Sequence, residues 1–568
     1  MRHLKTEIAV IGGGLGGVAA ALAALRLGRS VVLAEETDWL GGQITSQAVV
    51  PDEHPWIEET GGSASYRLLR QEIRAFYRRH YPVTAPLSFG VDRLNPGGCP
   101  ISRIGHEPAV SAAVIDAMLA GHRSARRLVL LRRHVPRSVD VDGDRVRGIV
   151  LADAATGATV HVEFDYLIDA TELGDLLPLA GAEHVTGAES QDRTGEPHAR
   201  SGPARPDDQQ SIAVSFAFDW SAGTDNLIAR PPMYEFWRSY RDNPWQGSQL
   251  SWESWNHQLR RKRFKPLIDG PRERERGLDF WHYRRIAFAG NFAPGFFASD
   301  IVVANWHQND YWKLPLVGGP PGQREQAIAE ARQLSLSLLY WMQSEAPRHD
   351  GGHGYPELRL RDDVMDTADG LAKHVYVREG RRIVAETTIV EQHISAHERA
   401  SLGTAERYDD SVGIGYYNID LHPCTVERSF LHVGCLPFQL PLGALLPVRL
   451  ENLLPACKNI GTTHITNGAY RMHPIEWSIG EAAGALAAFC VERKAAPRQV
   501  RAGRRLLREF QSLLAETLGV PLAWPAYVAL DRSLIANAYW PPDGLAPADP
   551  ADPDDAGGAS ANPMRSWS

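Results

Sequence analysis

The sequence predicts an α/β chain: a parallel sheet carrying a small antiparallel meander, split by a long insertion of mixed α and β character. Three observations carry this expectation. Residues 7–47 read as strand, glycine turn, helix and strand. Residues 128–169 read as short strands joined by tight turns and closed by an apolar strand. A small-residue helix beginning at Ile479 follows a late strand near the other end of the chain.

Glu7 to Ile11 ends in Ala-Val-Ile, an apolar run suited to a buried parallel strand. Gly12, Gly14 and Gly17 then fit G-x-G-x-x-G. Gly12 permits the tight turn, Gly14 lets backbone approach a diphosphate, and Gly17 lets helix and strand pack closely. Leu15 to Leu27 is rich in Ala and Leu and stops at Gly28, where a left-handed cap is cheap. Its N-terminus favours an anion through unpaired N–H groups and the helix dipole. Ser30 to Leu33 is a second apolar strand with Glu35 at its end. An acid there accepts ribose hydroxyls and argues against a 2′-phosphate, hence FAD or NAD rather than NADP. Trp39-Leu40-Gly41-Gly42-Gln43 follows, a glycine pair that lets a loop lie against the dinucleotide.

Helices are expected over Ala64–Arg79 and His106–Ala120, the second with Glu107 and Pro108 in its first turn. Between them and the insertion come strands Leu128–Leu131, Arg137–Val141, Arg145–Leu151 and Thr159–Phe164, with Asp142-Gly143 and Thr156-Gly157 as turns. Tyr166–Asp169 is another apolar strand, followed by Ala170-Thr171-Glu172.

On these residues, and on the segment LGGQITSQ after Glu35, the chain resembles FAD-dependent oxidoreductases with a glutathione-reductase-like FAD-binding domain. The resemblance implies a Rossmann-like domain, a parallel sheet plus three-stranded antiparallel meander, with an inserted α+β substrate domain. It also implies non-covalently bound FAD. The cofactor residues it implies are Gly12, Gly14, Leu15, Gly16, Gly17, Glu35, Glu36, Gly41, Gly42, Gln43, Thr45, Ser46, Val135, Ala170 and Thr171. Gly480 and Ala483 are implied on a closing helix whose N-terminus faces the flavin. Glu172 departs from the pattern by replacing the Gly of Ala-Thr-Gly.

The expected division is 1–184 for the first part of the FAD domain and 185–440 for the substrate domain. Residues 441–495 close the FAD domain, 496–540 form a helical segment, and 541–568 form a structureless tail. Within the insertion, Ser211–Phe218 reads as a strand and Gln323–Met342 as a helix. Asn305–Tyr311 and Arg378–Arg382 stand out as polar clusters for a substrate pocket.

The implied reaction is two-electron oxidation of a small organic substrate, as an oxidase or dehydrogenase. His473 is the first candidate for proton handling because imidazole titrates near neutrality. His464 is second, Arg471 orients an anionic group, and His307 with Asn305 and Asn309 completes the pocket. A flavin monooxygenase using NAD(P)H and O2 is the alternative enzyme; a flavin-binding or electron-transfer subunit is the alternative of another class. The absence of a second G-x-G-x-x-G argues against a nicotinamide domain.

Composition narrows the classes further. A net charge of −8 leaves no basic footprint for nucleic acid. The five cysteines have no metal or disulfide spacing, so no metal is expected. No apolar run of about 20 residues exists to span a bilayer. Basic residues before the first apolar run mimic a secretion signal, but removing them with that run would destroy the glycine motif, so the chain is expected in the cytoplasm. Homo-oligomerisation is left open.

Overall fold

The computed structural model describes residues 2–88, 90–256, 261–268, 279–428 and 430–529 of the 568. The strand Ile8–Ile11 lies at the centre of a five-stranded parallel sheet. Val31–Glu35 and Tyr166–Asp169 flank it, and Leu128–Arg132 and Leu453–Pro455 form the edges. Successive side chains of a strand face opposite sides. Ile8 and Val10 pack with the helices Leu15–Arg26 and His473–Arg493, whereas Ala9 and Ile11 pack with an antiparallel sheet. Cover on both faces explains why these strands are continuously apolar.

The antiparallel sheet contains the expected meander: His134–Asp142, Arg145–Asp153 and Thr159–Glu163. It gains a fourth strand, Arg2–Lys5, which runs parallel to Thr159–Glu163. The second helix expected early in the chain spans Pro108–Ser124, with Pro108 in its first turn.

The segment 464–474 differs from the loop expected there. His464–Tyr470 is a helix whose N-cap, Thr463, accepts a hydrogen bond from the Thr466 N–H. The closing helix starts at His473, not at Ile479, with Pro474 in its first turn. Asn467 and Gly468 are weak helix formers, but every residue of 464–470 is buried, so tertiary packing overrides propensity. Gly480 therefore lies two turns inside the closing helix. A Cβ there would sit 1.9 Å from the Gly16 carbonyl oxygen, so the helices Leu15–Arg26 and His473–Arg493 meet backbone to backbone.

A second sheet lies in the insertion: Arg285–Ala287, Ile301–Ala304, Phe216–Trp220 and Leu358–Leu360, all antiparallel. The helix Gln323–Ser344 covers it through Ala327, Ala331, Leu334 and Leu338. The stretch expected as one strand over 211–218 is two, Ile212–Ala213 and Phe216–Trp220. Packing returns to the first core earlier than residue 441. Ile389, Ile394, Val412, Ile419 and Phe438 share a core with Leu15 and Val18. These short apolar segments have no period long enough to assign them by sequence. The helical segment begins with Pro497–Ala502 and Arg504–Ser512. The expected tail, 541–568, lies outside the described residues.

Candidate functional site

The parallel strands deliver their C-terminal ends to a cavity of about 440 Å³. Gly12, Gly14, Glu35, Glu36, Gly42, Ser46, Val135, Ala170 and Thr171 line it, all expected at a cofactor. Gly12 has φ +100°, and a Cβ there would meet the Ala170 carbonyl oxygen at 2.0 Å, so only glycine fits that turn. Glu35 accepts hydrogen bonds from the Gly13 N–H at 2.7 Å and from the Thr37 N–H and hydroxyl at 2.9 and 2.8 Å. Burial, with Glu36 alongside, nevertheless pushes its carboxyl up to about 7. His374 pairs with Glu36 at 3.1 Å. Burial opposes its charge, but Glu36 lifts the imidazole to about 9.

Other expected cofactor residues also pack the scaffold. Leu15 and Ala483 are core side chains. Gly16 and Gly17 press on the Ala456 and Gly12 carbonyl oxygens, and Gly480 presses on Gly16. A G-x-G-x-x-G helix spends its small residues on packing as well as on a ligand. Gly41 supplies the left-handed residue before the turn Gly42–Ile44. Gln43 Nε2 donates to the Arg471 carbonyl oxygen at 3.0 Å and to Glu476. Thr45 is buried in the same loop and holds the Gly42 carbonyl oxygen at 3.5 Å.

The residues present fit FAD. Gly14 and Gly42 offer bare backbone, Glu35 closes its strand with a carboxylate, and Gln47 lines the cavity. Both amide atoms of Gln47 are buried with no hydrogen-bond partner among the described residues, which leaves donor and acceptor capacity for a polar ligand.

A buried polar cluster adjoins the loop 43–52. Arg471 Nη1 donates to the Tyr376 hydroxyl at 2.6 Å, and Nη2 donates to the Asp420 carbonyl oxygen at 3.0 Å. Each ring nitrogen of His422 faces a carboxylate: Nδ1 lies 2.6 Å from Asp310, and Nε2 lies 3.5 Å from Asp420. Asp310 also pairs with Arg378 at 2.8 Å. Burial opposes ionisation of both aspartates. Arg378 and His422 nonetheless hold Asp310 far below the usual carboxylate range, and His422, His432 and Arg471 do the same for Asp420.

The two polar segments expected at a substrate pocket therefore meet, through Asp310 and Arg378. Asn309 does not join them: it donates to the Val214 carbonyl oxygen and accepts from the Trp306 N–H, fixing the turn. Asn305 is buried with its Nδ2 unpartnered among the described residues. His307 stands edge-on to His422 with ring centroids 5.4 Å apart, and burial with that neighbour pushes it down to about 3.

His473 accepts the Asp52 N–H at Nδ1, at 3.1 Å, and so tethers the loop 43–52. Burial and the Arg284 guanidinium push its imidazole down to about 3. His464 sits in a separate ion network. Its Nδ1 lies 2.9 Å from Glu379, which also pairs with Arg382, and Arg382 pairs with Glu189 at 2.8 Å. Burial opposes its charge, but Glu379 raises the imidazole well above its ordinary value. Sequence reasoning missed Asp420, His422, Tyr376 and Arg284; the alternation Asp420-Leu421-His422 was the available signal.

Residues 7–514 match the family described as FAD dependent oxidoreductase. The chain belongs to that family. It is thus an FAD-dependent enzyme of the oxidoreductase class. No curated protein matches this oxidoreductase. Among solved structures it is similar to the flavin-dependent monooxygenase PieE in complex with FAD and substrate, at 12% identity over 95% of this chain and 72% of that one, TM-score 0.34. It is also similar to a mutant form of FrdA of the E. coli quinol fumarate reductase, at 10% identity over 91% and 75%, TM-score 0.33. L-proline dehydrogenase from P. horikoshii is similar at 14% identity, TM-score 0.18; the match covers 34% of this oxidoreductase and 26% of that protein. Scores this low carry no argument about the reaction. Among the described residues no helix is long and apolar enough to cross a membrane, and no group of His, Cys, Asp and Glu is arranged for a metal ion.

Proposed function

We propose that this protein is an FAD-dependent oxidase or dehydrogenase that oxidises a small organic substrate at the Arg471–Tyr376–Asp420–His422 cluster. One observation carries the reading: the loop 43–52 lines the glycine-lined cavity at Ser46 and Gln47 and touches the cluster through the Gln43 donation to the Arg471 carbonyl oxygen, with Asp52 held by the adjacent His473. FAD, when bound along Gly12, Gly14, Gly42 and Glu35, supplies the two-electron acceptor. In this reading, residues 1–184 and 441–495 hold the cofactor, and the insertion supplies most of the substrate wall.

Arg471 and the Tyr376 hydroxyl orient a polar group of the substrate. Asp310 fixes the His422 ring through Nδ1 at 2.6 Å, and the longer 3.5 Å arm from Nε2 to Asp420 is where a substrate proton is exchanged. His473, uncharged near neutral pH, positions the loop and is too weak a base to lead. The expected proton-handling role therefore moves from His473 to His422. His307 and Asn305 close the substrate side.

The test is anaerobic: purified holoenzyme is mixed with panels of hydroxy acids, amines and alcohols while the flavin absorbance is followed. Bleaching by one class without nicotinamide supports the reading. Flavin that stays oxidised with every panel and is reduced only by NAD(P)H, with O2 consumed in a parallel aerobic assay when an organic substrate is added, would make it a monooxygenase instead.

A further inference from the structure

A second group of buried charges lies against the glycine turn. The Glu172 carboxylate stands between the two bare glycines: its Oε1 is 3.0 Å from where a Cβ on Gly14 would be and 2.9 Å from the same point on Gly42. Glu476 Oε1 lies 3.4 Å from the Gly14 point and accepts the Gly16 N–H at 3.3 Å. Lys458 Nζ pairs with Glu172 and lies 3.7 Å from Glu476 Oε2. Lys458 and Glu476 are buried. Two carboxylates and one ammonium leave this triad net negative, on the face of Gly14 that a dianionic diphosphate must approach.

We propose that this triad controls cofactor affinity: Lys458 is the cation that meets the FAD diphosphate, and Glu476 takes up a proton as FAD binds. The inference rests on FAD lying along Gly12, Gly14 and Gly42. An anion brought beside buried carboxylates raises their proton affinity, and the cheapest relief is one proton. Glu476 is the acceptor on geometry, because Glu172 keeps Lys458 as its close partner while Glu476 holds it more loosely. Burial, opposed by Lys458 and aided by Glu172, already holds the Glu476 carboxyl above its ordinary range. Lys458 and the Cys457 thiol, from the loop after Leu453–Pro455, and Glu172, after Tyr166–Asp169, are the titratable groups that face it. The loop 41–47 contributes Gln43 and the helix Leu15–Arg26 contributes the Gly16 N–H. Burial raises the Cys457 thiol well above its usual value, so it stays neutral.

The sign follows from linkage: an anionic ligand favoured by a protonated Glu476 binds more weakly as pH rises through that group's titration. The experiment uses full-length protein stripped of flavin, as wild type, E172Q, E476Q and the double variant E172Q/K458M. FAD is titrated calorimetrically from about pH 6 to pH 9 in two buffers of different ionisation enthalpy, and each apoprotein is melted to confirm folding. Wild type is expected to take up about one proton more per FAD than E476Q, a difference that cancels any proton exchanged at Glu35 in the same cavity, and to lose more affinity than E476Q with rising pH. E476Q and E172Q each bind at least about tenfold more tightly at high pH, from removal of one like charge. The double variant, which avoids leaving Glu172 charged without its lysine, binds at least about tenfold more weakly than E172Q. Proton uptake and pH slope that are equal in wild type and E476Q, or a double variant as tight as E172Q, would each overturn the triad's role. Wild type that binds no FAD at all would overturn the functional reading with it.

Discussion

The glycine-lined cavity draws much of its wall from one strand–turn–helix–strand unit within residues 11–47. The Asp420–His422 cluster instead gathers side chains from residues as far apart as Asp310, Tyr376 and Arg471. The cavity is held by backbone contacts that only glycine permits. The cluster is held by ion pairs whose members are each costly to bury alone. Their failure modes should therefore differ: substitutions in the first change shape, and those in the second change charge balance.

The largest effect is expected at Gly480→Val. Its added atoms overlap the Gly16 carbonyl oxygen, so the closing helix must move off its partner, with more than about 3 kcal/mol lost. Thermal unfolding reads this, and an unaltered melting temperature would mean the helices do not depend on that contact. Arg378→Met comes next. It leaves the buried Asp310 carboxylate with His422 as its remaining close partner, and is expected to cost about 3–5 kcal/mol in urea unfolding. If it melts like wild type, the cluster is not held by its charge pairs.

For catalysis, His422→Asn is expected to slow substrate-driven flavin reduction by about 10²–10⁴ with FAD retained. His473→Asn should slow it by less than about tenfold, because it acts through the loop. The reverse order in stopped-flow traces would return the proton-handling role to His473. Glu35→Ala is expected to weaken FAD by about 1–3 kcal/mol above about pH 7, where the carboxyl is charged, measured by flavin fluorescence.

The smallest effect is a pH dependence of the apoprotein. The Glu35 carboxyl is raised from 4.5 to about 7 in the folded chain, so the fold holds a proton that the unfolded chain has released. Its contribution to stability is present below about 4.5 and is lost as pH rises through about 7, a change of about 1–3 kcal/mol. Glu35→Gln should flatten that stretch of the stability curve. Equal slopes in wild type and variant would mean Glu35 is ionised throughout.

The contrast also explains what the sequence made legible. The strand before Gly12, the glycines and Glu35 form one contiguous unit with a fixed spacing, so its pattern can be read without knowing the fold. At Gly480 the same pattern has two readings, because small residues serve ligands and helix packing equally well, and its contact with Gly16 is visible only in the fold. Asn305–Tyr311 and Arg378–Arg382 are visible as polar clusters, yet their meeting at Asp310 and Arg378 is a tertiary fact. His422 sits beside a short strand, with no motif around it. His473 reads as a loop residue because the small-residue pattern begins only at Ile479, whereas Pro474 in a first turn starts the helix earlier.

The cofactor that the purified protein carries is the most direct test. The protein is denatured, and the released chromophore is quantified against chain concentration before and after phosphodiesterase treatment. One FAD per chain, seen as a rise in fluorescence when the dinucleotide is cleaved, is the predicted result. A colourless protein that takes up NAD but cannot be reconstituted with FAD would contradict it.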